Sequence, residues 1–436
     1  MHFRKILLSL GLLCSVCLNA VALKTSGINV RGESNLTVWT FTEEIDGFIN
    51  HPYFGYKVKH PNVQVDLKLI PTPQFPDTLD PVLESGIGAP DVFALEDAFI
   101  RKYVESGLLL PLDDLYEEVK KKMADYPIKI GSYEGHVYAM SWLIYPGAVI
   151  YRRSLAKKYL GTDDPVKVQG YLKSMDKLLD TARLLKKKSN GKCRIVSTYK
   201  DLFRPYLGLR KKPWVVNDSL YIDPAMEKYM DMCKTITNEK LDAGLAEFYD
   251  YEGQWSDAWY AGMNDKLADE KGNPLEVFCY FLPPWGLHYV LKVEAKDTSG
   301  DWAMCAGPSS WYWGGTWVAA YKDTNNPQAA KEMIRYLTSD DFFIEEMAKS
   351  SGEQVGNLNV QKKIKKRFTE RYLSNQNHYE AFCEYAQKID GSLVQGTDQW
   401  IEFYFNDAVT EYIWGNKSKQ DALKSFKNRV AFEMGL

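Results

Sequence analysis

The stretch from Ala89 to Leu115 constrains the fold most. It holds an apolar run at Val92–Leu95, the acidic pair Glu96-Asp97, Phe99, Tyr103 and Val104 at helical spacing, and an exit through Pro111. Four apolar residues with a β-branched and an aromatic member read as a buried strand that the acids end. A strand followed at once by polar residues and a helix is the building unit of an α/β sheet, where ligands gather outside the carboxyl ends of the strands. Glu96 and Asp97 therefore stand at a ligand-accepting end.

The same unit occurs earlier, with a strand at Leu36–Phe41, a helix to about Val58 and a strand at Val63–Ile70, all expected in one sheet with Val92–Leu95. Two further strand-like runs, Gly135–Met140 and Ala148–Arg152, flank Leu143–Gly147, a candidate crossing point between lobes. Helices are expected over Asp164–Ser189, Ala225–Thr237 and Asp257–Ala268. The strand Val277–Leu282 is halted by Pro283-Pro284-Trp285-Gly286, which leaves Trp285 on a loop. Trp302–Cys305 and Thr316–Tyr321 read as strands around the loop Gly307–Gly315. Pro327 stands near a helix start, and Ser418 is placed to cap a closing helix that runs to Glu433. A chain of 436 residues is expected to form at least two domains.

The first residues combine His2, Arg4 and Lys5 with an apolar run from Ile6 to Leu18 and then Ala20-Val21-Ala22, the pattern of a secretory signal over residues 1–22. Cys14 and Cys17 lie in that run and leave a lipoprotein anchor open, although Leu13 and Val16 precede them where a small residue is preferred. Without the signal, 52 basic residues face 57 acidic ones, a net charge of −5 that argues against nucleic acid or an anionic membrane as partner. Five cysteines remain, Cys193, Cys233, Cys279, Cys305 and Cys383. Scattered and odd in number, they do not suggest a disulfide framework, though one bridge stays open. No other apolar run approaches the ~20 residues that span a bilayer, so the expectation is a soluble, periplasmic or extracellular monomer.

Gly-rich phosphate loops, His-Glu-x-x-His, Gly-x-Ser-x-Gly and any Cys-x-x-Cys beyond the signal are missing, so no metal, cofactor or catalytic role is expected. Acidic and aromatic residues at element ends stand out instead. Glu43-Glu44 follow the first strand through Thr40-Phe41-Thr42 as Glu96-Asp97 follow the third. Each pair has two readings: acceptor for ligand hydroxyls, or cap for the helix behind it. Twelve Trp and 28 Tyr exceed what core packing usually needs, which turns attention to Trp285, Trp311, Trp313, Trp317 and Trp400. Trp317 lies in a strand and suits the core. Trp285 and Trp313 lie beside Gly or Pro, where a ring can meet the C–H face of a sugar while carboxylates take its hydroxyl rim. Gly314-Gly315 would admit close backbone approach. Arg204 and Tyr206 are further candidates from a loop.

Taken in order, Val38-Trp39-Thr40, the stretch Pro90-Asp91 to Gly107-Leu108, Gly135 to Ala139 with Ile150-Tyr151, Pro284-Trp285-Gly286, Gly314-Gly315-Thr316-Trp317, Asn326-Pro327 and Trp414-Gly415-Asn416 resemble the extracellular solute-binding proteins of carbohydrate ABC transporters. The resemblance covers most of the mature chain. It implies a periplasmic-binding-protein-like type II fold, two α/β lobes with crossing segments that close on a saccharide delivered to a membrane permease. One lobe would hold residues 23–145 with about 314–352, the other about 146–313 with 353–436. By position, the family's pocket maps to Phe41, Thr42, Glu43, Glu44, Glu96, Asp97, Tyr145, Tyr206, Trp285, Trp313, Gly314 and Trp400. Leu95 departs from the maltose-binding pattern, which has an aromatic there, so a maltose-type stacking surface is not expected. Two other readings stay open: an enzyme of thiaminase type on the same fold, and a binder of a cationic solute such as a polyamine, thiamine or an amino sugar.

Overall fold

The computed structural model describes residues 34–245 and 254–436. The expected signal over residues 1–22, with Cys14 and Cys17, lies outside them. Eight strands build two sheets: β1 (Ser34–Thr40), β2 (Val63–Leu69), β3 (Val92–Glu96), β4 (Ala139–Met140), β5 (Ala148–Arg152), β6 (Cys279–Leu282), β7 (Trp302–Cys305) and β8 (Thr316–Ala320). The first sheet has the order β2-β1-β3-β8-β4, with β1 parallel to β2 and β3, and β8 antiparallel to β3 and β4. In the second sheet β5 is central, with β6 and β7 antiparallel on its two sides.

Burial on both faces explains why these strands read as unbroken apolar runs. Along β5, Val149 and Tyr151 enter one core with Phe281 and Cys279 of β6, while Ala148 and Ile150 enter another with Tyr280 and Leu282. The helices Asp398–Ile413 and Lys419–Met434 cover the first of these cores through Ile401, Phe405, Phe426 and Val430. In the first sheet, Phe93, Leu95 and Trp317 pack over Phe75, Leu79 and Leu83 of a helix that follows β2.

Three segments run side by side between the sheets. The first, 141–147, leads from β4 to β5; the second, 306–315, leads from β7 to β8; the third lies near Glu353–Gly356. Gly147 N–H donates to Trp311 O at 2.7 Å, Trp313 N–H to Tyr145 O at 3.2 Å, and Ile144 N–H to Gln354 O at 2.8 Å. Gly147 lies directly against the Trp311 ring, where a Cβ would come within 2.1 Å, so only glycine lets these segments touch. The expected crossing at Leu143–Gly147 is thus present with two partners.

Several boundaries differ from the sequence reading. Asp164–Ser189 is two helices, Pro165–Leu172 and Met175–Lys188, because Ser174 caps the second by accepting from Lys177 N–H at 3.2 Å. Gly135–Met140 is not one strand: Glu134 and Gly135 turn a small hairpin between Ser132–Tyr133 and His136–Val137. Trp285 opens a wide π-helical turn, Gly286–Leu291, instead of lying on a loop. Ser418 does cap the closing helix, accepting from Asp421 N–H at 3.1 Å.

Candidate functional site

The acid pair at the end of β3 is placed as the strand–loop–helix order implied. Asp97 N–H donates to Gly315 O at 3.1 Å, which ties the strand end to the second crossing segment. The Tyr312 hydroxyl and the Gly314 N–H lie beside the Asp97 carboxylate as donors that favour its charged form, and Arg204 Nη1 lies 3.9 Å from its Oδ2. Burial pushes the Asp97 carboxyl up, and these donors oppose the rise. Glu96 does not cap the helix Ile100–Val104; its Oε2 instead accepts from Ala98 N–H at 2.7 Å in the turn before that helix. Burial, followed by the neighbouring Asp97 charge, carries Glu96 up to about 7.

Asp97 opens onto a cavity of about 540 Å³ whose other sides include Arg204, Arg210, Tyr312, Asp398 and Glu402. That volume falls within the range of small-molecule sites. Desolvation works against charge on Arg204, but Glu402 and then Asp97 outweigh it and raise its pKa. Arg210 lies 3.7 Å from Asp398, which burial pushes up to about 8. Arg204 and Arg210 also oppose the upward push of burial on Glu402.

On the other side of the segment 310–315, Trp285 Nε1 donates to Trp313 O at 2.9 Å, and the two rings meet edge to face at 4.9 Å. A further ring, Trp255, stacks on Trp285 at 5.5 Å and 17°. Gly314, at φ 78°, passes so close that a Cβ would lie 3.0 Å from Trp285 Nε1. A second acid pair stands at the first sheet's end of the crossing segments. Glu44 is raised to about 7 by burial; Glu353, 3% exposed, is raised to about 8 by burial and by Glu44, with the Tyr289 hydroxyl opposing. Tyr145 joins them, with the Thr316 side chain beside its hydroxyl. Among the described residues, no Lys or Arg forms an ion pair with either carboxyl.

Of the residues singled out in the sequence, Asp97 lines the cavity, Glu96 adjoins it, and Trp285, Trp313, Gly314, Glu44 and Tyr145 lie along the crossing segments. Phe41 packs edge-on against Phe75 and Phe99. Thr42 accepts from Glu44 N–H at 3.3 Å, doing the capping expected of Glu43, which is exposed and makes no capping bond. Tyr206 is not at the cavity. It lies in the short helix Phe203–Leu207, which turns Phe203, Arg204 and Leu207 to the cavity and Tyr206 into the core against Tyr229. Trp400 is also displaced: the helix Asp398–Ile413 presents Gln399, Glu402, Phe403 and Asn406 to the cavity, while Trp400 is 55% exposed beside Tyr404. The sequence reading missed Arg210, Tyr312, Asp398 and Glu402. The spacing 399, 402, 403, 406, opposite the apolar stripe Ile401, Phe405 and Ala408, was the available signal for Glu402.

The five described cysteines are free and buried, and burial pushes the Cys305 and Cys383 thiols up to about 12 and the other three higher still. None is a thiolate near neutral pH. Among the described residues, no group of three or more His, Cys, Asp or Glu is placed to hold a metal, and no helix is long and apolar enough to cross a membrane.

Solved structures share this fold at low sequence identity. An extracellular solute-binding protein of family 1 aligns over 91% of this chain and 100% of its own, with a TM-score of 0.77 and 18% identity. The sugar-binding protein MalE of Xanthomonas citri aligns over 91% and 96%, with a TM-score of 0.70 and 15% identity. The galacto-N-biose/lacto-N-biose I-binding protein of the Bifidobacterium longum ABC transporter, in complex with lacto-N-biose, aligns over 94% and 99%, with a TM-score of 0.69 and 15% identity. The family model for the bacterial extracellular solute-binding protein matches residues 39–342, more than half of the chain, and the protein belongs to that family.

Proposed function

We propose that the protein is the substrate-binding component of an ABC importer, taking a sugar or oligosaccharide outside the membrane and passing it to a permease. The observation that carries this reading is the cavity of about 540 Å³ between Asp97, at a strand end of the first sheet, and Arg204 and Glu402, which belong to helices of the second. Carboxylates and a guanidinium supply acceptors and donors for ring hydroxyls, and Tyr312 supplies an aromatic edge. The two sheets with their helices would be the two lobes, 23–145 with about 314–352 and about 146–313 with 353–436, hinged on the crossing segments. A solute touching both would favour the closed state by its differential affinity. Secretion by the signal over residues 1–22 would place the protein in the periplasm or outside the cell.

A thermal-shift screen over mono- and oligosaccharides tests the reading, because a ligand at 100 times its Kd adds about 2.7 kcal/mol to stability. The expected result is a raised Tm with at least one saccharide, confirmed by titration calorimetry. No shift with any saccharide, alongside a shift with a polyamine or thiamine, would replace it. That cationic reading has one observation in its favour: buried Glu353 stands beside half-buried Glu44 with no Lys or Arg ion pair to either among the described residues. The thiaminase-type reading is disfavoured by five thiols whose burial keeps them protonated.

A further inference from the structure

Arg204 is charged, lines the cavity and is left without a hydrogen bond. It comes from the short helix Phe203–Leu207, its side chain is 32% exposed, and among the described residues its guanidinium donates to no acceptor. The nearest carboxylate oxygen, Asp97 Oδ2, stands at 3.9 Å, outside hydrogen-bond reach. Elsewhere the chain closes such pairs. Arg152 holds both oxygens of Asp265 at 2.9 and 2.8 Å, Arg183 both of Glu239 at 2.8 and 2.6 Å, and Arg335 both of Glu332 at 2.6 Å. A guanidinium presents five N–H donors in a planar fork that matches the two oxygens of a carboxylate. At Arg204 that fork is unfilled.

The charges around the fork leave a positive surplus. Asp97 has donors of its own in the Tyr312 hydroxyl and the Gly314 N–H, and Asp398 stands 3.7 Å from Arg210. Asp390, also on the wall, is shared with Lys129 at 3.6 Å and with Ser392. Glu402 then remains as the counter-charge of Arg204. Beside Arg204 stand two lysines at the exposed rim, Lys211 and Lys388, which form no ion pair among the described residues. Arg210 adds an Nη1 that has no hydrogen-bond partner among them. Burial raises the carboxyls of Asp97, Asp398 and Glu402, which thins the negative charge of the wall further. Six cationic side chains line the cavity against four acidic ones, the reverse of the mature chain as a whole, where 52 basic residues face 57 acidic ones. A cleft with an excess of one sign and low-dielectric walls concentrates the potential and draws the opposite charge. Hydroxyl groups alone leave that surplus unmet, whereas an anionic group meets it.

We infer that the bound solute is an acidic saccharide, a uronate-bearing sugar whose ring carboxylate fills the Arg204 fork. The inference rests on the saccharide reading above and names the class of sugar for the same cavity. Its test is titration calorimetry on the purified protein with galacturonate and glucuronate disaccharides, their neutral counterparts with CH2OH in place of the carboxylate, and a sulfated disaccharide. At least one uronate disaccharide should bind about tenfold or more tighter than its neutral counterpart, and its affinity should fall as salt rises from about 0.05 to about 0.5 M. Arg204→Gln keeps a donor but removes the charge and the fork. It should weaken that uronate by about tenfold to hundredfold and the neutral counterpart by less than about threefold. The double variant Lys211→Gln/Lys388→Gln, changed only at the exposed rim, should flatten the salt dependence, which keeps the inference testable if Arg204→Gln does not fold. A neutral saccharide bound as tightly as its uronate counterpart, or more so, overturns the inference and leaves the saccharide reading standing. Equal weakening of both sugars in a folded Arg204→Gln protein does the same. Preference for the sulfated sugar over both uronates removes the carboxylate as the occupant. Absence of binding by every saccharide overturns the saccharide reading and this inference together.

Discussion

The two acid clusters along the crossing segments meet the same problem, burial of carboxyl groups, in different ways. At the cavity, Asp97, Asp398 and Glu402 have Arg204 and Arg210 beside them. Around Tyr145, Glu44 and Glu353 have hydroxyl groups and each other. Desolvation raises the carboxyls in both, but among the described residues only the first has permanent positive charge beside it. The first cluster therefore holds positive charge that the fold supplies, whereas the second gains none except from a proton or from whatever enters beside it.

The sharpest way to break this contrast is to remove a cation from the first cluster. Arg210→Ala should destabilise the protein by about 3–5 kcal/mol in urea unfolding above about pH 8, where Asp398 is ionised and is left buried without its partner. Combining Arg210→Met with Asp398→Leu should recover most of the loss. A loss below about 1 kcal/mol in the single variant would mean that the 3.7 Å pair is already screened by water.

The second cluster should show itself through pH. Glu44 and Glu353 sit near 7 and 8 in the folded chain against an ordinary 4.5. The folded state therefore binds more protons than the unfolded state between those values. Their contribution is fully present below the unfolded value and is lost as pH rises through the folded ones. Relative to Glu44→Gln/Glu353→Gln, wild-type stability should fall by about 1–3 kcal/mol between roughly pH 5 and pH 8. Parallel stability curves for the two proteins would show that the pair is hydrated.

Gly314 lies on the seam, with its N–H beside Asp97 and its Cα against Trp285. Gly314→Ala at φ 78° should cost about 1–2 kcal/mol in stability, and calorimetry should also find weaker saccharide binding because both sides shift together. The smallest effect is expected at Trp400. Trp400→Ala should change stability by no more than about 0.5 kcal/mol and affinity by less than about twofold. A tenfold loss of affinity would place its ring on the solute in a closed state.

Much of the frame was legible in order along the chain. The strand–acid–helix run at Val92–Val104 placed Asp97, and Leu143–Gly147 announced a crossing. Local chemistry accounts for both: an apolar run fully buried between layers and a capping or turn residue leave marks within a few positions. Ser174 shows where such marks are overlooked, since one capping hydroxyl inside a long apolar pattern divided an expected helix in two. The site was legible only on one side. Tyr206 and Trp400 were chosen for residue type, yet helical phase turns Tyr206 inward and Trp400 away from the cavity.

The sequence by itself determined the α/β character, the family resemblance and the strand-end acid, because periodicity, turn residues and strand ends are properties of neighbours in the chain. Tertiary structure decided which carboxyls have a cation beside them and which tryptophans stack on each other. Arg210 meets Asp398 across 188 positions, and Trp255 covers Trp285 from 30 residues away. Burial and ion pairing depend on what packs in space, and that information is spread over segments that touch only after folding.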